Sequence, residues 1–242
     1  MNVMALPQLN TVNYDMVIPS TGEQIKYRPF VVREEKVLLT AMESGDAQQI
    51  TNAMRDIVKV CTFDKIEVRD LAMYDLEYIF LKLRSKSVGE KATILLKCSD
   101  DKCDHMTPVE INLDEIELEG DPKAESTIQI TDDIGVSFKF PTVGRMEDVM
   151  KGLKTETQID MVLGMMVASI VSIHDAEKVY NSIDSTPQEL MDFIESLNKL
   201  QFEKLQDFFN SFPKLRKKVT WTCEKCGKEN SIVLEGLNDF FG

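Results

Sequence analysis

Two pairs of cysteines, Cys98 with Cys103 and Cys223 with Cys226, stand in distant segments of the same design. Each pair follows an apolar run, Thr93-Ile94-Leu95-Leu96 in one case and Val219-Thr220-Trp221-Thr222 in the other. Each precedes a second run, Val109-Glu110-Ile111-Asn112-Leu113 and Ser231-Ile232-Val233-Leu234. Both segments read as strand, knuckle, strand. Four thiols at the tips of two hairpins make a donor set for one tetrahedral metal, and zinc is the expected ion. Cys223-Glu224-Lys225-Cys226-Gly227 is the typical knuckle spacing, with Gly227 free to take the left-handed turn. The Cys98 to Cys103 spacing is wider, and His105, two residues on, is a candidate to replace one thiol. Unligated thiols in decayed knuckles and a redox pair remain alternatives. A redox Cys-x-x-Cys normally sits at a helix N-terminus, which lowers the thiol pKa, whereas this one sits between strands.

The similarity extends beyond the cysteines. Tyr27-Arg28-Pro29 matches Lys139-Phe140-Pro141, and Arg33 to Leu38 matches Arg145 to Met150, both at an offset of 112 residues. By Cys98 and Cys223 the offset has grown to 125, as an insertion near Asn181 to Pro187 would produce. The expected fold is therefore α+β, built from two divergent repeats. Each is a helical bundle with a strand and a cysteine-bearing β-hairpin, and a zinc-ribbon-like metal clip joins them. The expected boundaries are an extended N-terminal arm at 1–22, a first half at 23–119, a linker at 120–135, a second half at 136–236 and a tail at 237–242. Helical spacing marks 34–43, 47–60, 70–83, 145–153 and 159–173. Thr186-Pro187-Gln188-Glu189 is a helix start with a capping box, and Pro213 ends the last helix.

With 242 residues and 43% hydrophobic content, the chain can bury a core without disulfides. Residues 1–19 have neither the basic nor the apolar stretch of a secretory signal, so a reducing cytosol is the expected place of synthesis. The longest apolar run, Met161 to Ile173, falls short of the roughly 20 residues that a membrane span needs. Cys61 lies in an apolar stretch, Ile57 to Cys61, and reads as an inert buried thiol.

The formal net charge of -13 disfavours a nucleic-acid partner. The acidic run Asp114 to Glu119 and the basic run Lys214 to Lys218 each read as solvated strand. Phosphate-binding loops, nucleophile elbows and His-Glu-x-x-His motifs are absent from the sequence. Four protein ligands would leave a bound zinc no open position for catalysis, so a structural ion and a non-enzymatic interaction protein are expected. Two rival readings are a zinc-ribbon adaptor for nucleic acid or a polymerase, and a hydrolase. The hydrolase would need His174 and a perturbed carboxylate in one pocket.

Several segments together resemble the T4-like phage baseplate protein family of contractile-tailed phages. They are Leu6-Pro7, Val17-Ile18-Pro19-Ser20-Thr21-Gly22, Tyr27-Arg28-Pro29-Phe30, Glu34-Glu35-Lys36-Val37-Leu38 and the two cysteine hairpins. The resemblance implies a subunit of the baseplate hub or a hub assembly factor. Its partners would be other hub or tail proteins, with a ring or oligomer as one arrangement. It would reside in the host cytoplasm during assembly and in the virion tail baseplate if retained. No family active site is carried over.

Overall fold

The computed structural model describes residues 11–121, 126–153 and 157–241. Leu6, Pro7 and the rest of 1–10 lie outside that range. The chain opens with β1 (Tyr14–Val17) and β2 (Gln24–Tyr27), an antiparallel pair in which Tyr14 faces Tyr27. Their inward residues, Met16, Ile25 and Tyr27, enter the core, and Ile18 follows at 1% exposure. Residues 14–18 of the expected arm are therefore part of the folded body. The turn after them is pinned by Asp75, whose fully buried carboxylate accepts hydrogen bonds from the Ser20 N–H, the Ser20 hydroxyl and the Ala72 N–H.

Three helices follow, α1 (Val32–Ser44), α2 (Ala47–Cys61) and α3 (Met73–Val88). Glu34 caps α1 from inside by accepting from the Val31 N–H while it pairs with Arg28. Asp46 caps α2 by accepting from the N–H groups of Gln48 and Gln49. Helix α3 buries Leu76, Ile79, Phe80, Leu81 and Leu83 and forms the spine of the first half. It leads into the hairpin β3 (Lys91–Lys97) and β4 (Met106–Asn112), then the short strand β5 (Glu117–Glu119).

The second half begins with β6 (Ser126–Gln129) and β7 (Gly135–Phe138). Strand β6 and the buried Ile130 fall within the stretch expected as a linker. Helices α4 (Val143–Gly152) and α5 (Gln158–Ser169) come next, then β8 (Ile170–His174) and β9 (Val179–Asn181). The sequence pattern extends one helix to Ile173, but the chain turns to strand at Ile170. The β-branched residues Ile170, Val171 and Ile173 suit a strand, and β7 offers an edge that pairs with them. The result is a four-stranded antiparallel sheet, β6-β7-β8-β9. Helix α6 (Pro187–Glu195) lies on α5 and α4, while α7 (Lys199–Asn210) packs against the sheet, with Phe138 meeting Phe208 and Phe209 at ring separations of 5.5 Å. The chain ends with β10 (Lys214–Thr222), β11 (Glu229–Glu235) and α8 (Gly236–Phe241).

Two hydrophobic cores result. One gathers Phe138, Val149, Val167, Ile194 and Leu205 from the second half. The other gathers the first half together with Leu215, Val219, Leu234, Leu237 and Phe240. The C-terminal hairpin thus crosses back onto the first half, where β10 pairs with β5. The final helix, within the expected tail, is anchored by Phe240, which is fully buried.

The halves also meet at residues 71–73 and 141–143. Ala72 bridges Thr142, the Val143 N–H donates to the Leu71 carbonyl at 2.8 Å, and the Met73 N–H donates to the Pro141 carbonyl. Gly144 fits closely here, because a Cβ at that position would lie 3.0 Å from the Arg69 carbonyl oxygen and the joint would have to give by a few tenths of an ångström. Beside the joint, Arg55 and Arg69 both donate to the buried carboxylate of Glu147, and Arg69 also holds Asp148 at 2.9 Å.

Candidate metal centre

Both hairpins grow from the first core and lean together at their tips. The β3–β4 pairing runs from Lys91 opposite Asn112 to Lys97 opposite Met106, just before Cys98. The β10–β11 pairing closes with Thr222 opposite Glu229, just before Cys223. Each knuckle is shaped by its own backbone. The Cys98 N–H donates to the His105 carbonyl, and the Cys103 N–H to the Asp100 carbonyl. Across the gap, the Cys223 N–H donates to the Lys228 carbonyl, and the Gly227 N–H to the Cys223 carbonyl. Gly227 sits at φ +72°, the left-handed conformation that the knuckle needs.

The four sulfurs converge. Cys98 Sγ lies 3.6 Å from Cys226 Sγ, and Cys103 Sγ lies 3.8 Å from Cys223 Sγ. All four fall within 4.8 Å of one another. Three are buried and Cys226 is exposed, so the cluster sits at the surface with one side open. All five cysteines of the chain are free thiols.

His105, the alternative ligand, lies outside the cluster, with its Nε2 3.7 Å from a Glu224 carboxylate oxygen. Asn230 is a site residue that the sequence reading missed. It is buried, accepts from both the N–H and the hydroxyl of Ser99, and donates to the Lys228 carbonyl, so it straps one knuckle to the other. Nothing in its local sequence marks that role, because its partner is more than a hundred residues away.

The electrostatics explain what the cluster can do. The Cys223 thiol is lowered to about 6, first by a hydrogen bond from the Cys226 N–H, and also by the Lys225 N–H and neighbouring thiols. The Cys226 thiol is pushed up to about 12. A hydrogen bond from the Lys228 N–H lowers it, but burial and the sulfurs of Cys223, Cys98 and Cys103 outweigh that effect. One thiolate forms readily and the next is resisted. A cation at the centre removes that repulsion, so the four-sulfur set can hold a metal ion.

Other candidates fall elsewhere. His174 lies on β8 with its imidazole against Gly135, where a Cβ would come within 2.4 Å of Cε1. The strongly perturbed carboxylate is Glu77 on α3, in a cleft whose lining does not include His174. Burial, helped by Glu235, raises Glu77 to about 7. Because the folded form holds its proton more tightly than the unfolded chain does, the native state loses stability as pH rises from about 4.5 to about 7. Glu77→Gln is therefore expected to leave stability near pH 4 unchanged. Above pH 7 it should add about 2–3 kcal/mol, which urea denaturation at the two pH values would measure.

The basic run is neutralised within the fold. Lys214 and Arg216 face Glu119 and Glu117 on β5, Lys214 and Arg216 both bind Glu235, and Lys217 binds Glu115. The acidic and basic runs, each expected to be solvated, are each other's partners.

The described residues form a mixed α/β body with a paired-hairpin thiol cluster, and none of its helices is long and apolar enough to cross a membrane. The chain belongs to the T4 bacteriophage base plate protein family, whose model matches residues 11–242. Among its relatives is the baseplate hub assembly protein gp26 of Enterobacteria phage T4. It is 24% identical over 218 residues, covering 90% of this chain and 92% of that protein. No solved structure matches the chain.

Proposed function

We propose that this protein is a non-enzymatic component of the phage tail baseplate hub, or a factor in its assembly, and that Cys98, Cys103, Cys223 and Cys226 hold a structural zinc ion. The observation that carries the zinc is the geometry of the sulfurs. A regular tetrahedron with Zn–S bonds of about 2.3 Å has edges of about 3.8 Å. Two of the six separations, 3.6 and 3.8 Å, match those edges, and all six lie within 4.8 Å. Four soft thiolates select zinc over hard cations such as magnesium or calcium, and a full set of protein ligands marks a structural site.

The hub reading is supported by the family match along nearly the whole chain and by the baseplate hub assembly role of the gp26 relative. A nucleic-acid adaptor is disfavoured, because Lys214, Arg216 and Lys217 already bind carboxylates. Divergent duplication is supported by element order. Each half runs strand pair, two helices, at least one further helix and a terminal hairpin, and β8–β9 and one helix of the second half have no counterpart in the first.

Quantitative mass spectrometry of purified virions beside tail assembly intermediates tests the reading. A fixed copy number in virions is the result expected of a hub subunit, and presence in intermediates alone is that of an assembly factor. Absence from both overturns the proposal.

A further inference from the structure

The two halves enclose a cleft of about 560 Å³, and none of the four clustered cysteines lines it. That size falls within the range of about 300–1,000 Å³ typical of binding clefts. Its apolar lining comes from both halves, with Met73 on α3, Phe140 at the joint, Met165 and Met166 on α5, and Phe209 and Phe212 around the end of α7. Val162 stands at the edge with 48% of its surface exposed. Methionines can repack around an incoming side chain, which suits an adaptable recognition surface.

The charges in this lining are unbalanced. Glu77 comes from α3, Glu203 from α7, Lys214 from β10 and Glu235 from the end of β11. Lys214 is held by Glu235 at 2.6 Å, and Glu235 also takes Arg216. Glu203 lies 3.8 Å from Lys199 of its own helix. The Glu77 carboxylate makes neither a hydrogen bond nor an ion pair with any described residue. A half-buried carboxylate without a partner is costly, and the one cation that lines the cleft, Lys214, is bound to Glu235 instead.

We infer that this cleft is a docking site for a segment of another baseplate protein that carries one lysine or arginine flanked by apolar residues. The cation pairs with Glu77, and the apolar residues cover Met165 and Phe212. The charge pattern selects this occupant. An acidic segment meets three carboxylates against a single, already paired ammonium. A purely apolar segment seals the Glu77 charge away from water without a counter-ion, which opposes binding. The identity of the partner as a baseplate protein rests on the function proposed above.

The test uses the full-length, metal-loaded protein on overlapping synthetic peptides that tile the other baseplate proteins of the same phage. Titrations of the bound peptides are then made at about pH 8, where Glu77 is ionised. Bound peptides should share a lysine or arginine between apolar residues. Glu77→Gln should weaken them about tenfold or more, in line with the loss of a charge-assisted contact. Leu39→Ser, on the exposed face of α1, should leave them unchanged. Because Glu77→Gln removes a buried charge, its lost binding is not explained by unfolding, and thermal denaturation of the variant checks this. Binding without a cation preference, Glu77→Gln binding as tightly as the parent, or no bound peptide would each overturn the inference. A protein that is found in baseplates yet binds no peptide would sink this inference alone. A protein absent from baseplates and their intermediates would sink the hub reading beneath it.

Discussion

Cys223→Ser is expected to abolish stoichiometric zinc binding and to lower the stability of the first half sharply. A serine hydroxyl stays protonated at neutral pH and is a poor substitute for a thiolate. The Cys223 thiol is also lowered to about 6, so its loss removes a readily formed thiolate anchor for a cation. Without the ion, the hairpin tips are held mainly by the Ser99–Asn230 hydrogen bonds. Zinc-finger peptides draw about 10–16 kcal/mol of folding energy from their metal. Here the β3–β4 and β10–β11 ladders and the β10–β5 pairing persist, so a loss of about 3–5 kcal/mol is expected, or a melting temperature lower by about 10 °C.

Metal analysis of protein purified without chelator, tetrahedral cobalt absorption in the reconstituted apo form, and calorimetry read the three consequences separately. Cys61→Ala is the control. That thiol is pushed up to about 11 by burial, lies in the first core, and should leave the metal content unchanged. A parent protein that carries no metal and melts alike with and without chelator would falsify the zinc centre.

Truncation through Pro19 is expected to unfold the first half rather than release a free arm. It removes β1, and with it the pairing from Tyr14 opposite Tyr27 to Val17 opposite Gln24. It also takes Met16 and Ile18 out of a core that they help to fill. Burying two such side chains is worth about 1.5–3 kcal/mol each, and the exposed partner strand adds to the loss. The sum is about 4–6 kcal/mol, a large share of a domain stability of about 5–15 kcal/mol. Circular dichroism on heating would register a collapsed or absent transition. A truncated protein with the parent melting curve would show that these contacts contribute little.

Much of the local structure could be read directly from the residues. The knuckle at Cys223 follows from the cysteine spacing and Gly227, and the start of α6 from Thr186, Pro187 and Glu189. Helices α1 and α2 follow from apolar periodicity and fall within two residues of their expected bounds. The failures share a cause. Residues 159–173 carry a helical pattern throughout, yet the last stretch pairs with β7, a partner that periodicity cannot see. Residues 120–135 look like a linker by composition, yet β6 finds β7 and Ile130 finds the second core. Residues 237–242 look like a frayed end until the first core takes up Leu237 and Phe240.

The thiol donors, their pairing into two knuckles and the α+β character were legible because each depends on neighbours within a few residues. Which hairpin joins which core was not. The return of β10 and β11 onto the first half, the matching of Glu117 and Glu119 to Arg216 and Lys214, the Asn230 strap and the unpaired Glu77 all depend on contacts between distant residues. Such contacts are settled by the burial of apolar surface and the pairing of charge across the whole molecule. No local window of sequence contains both partners.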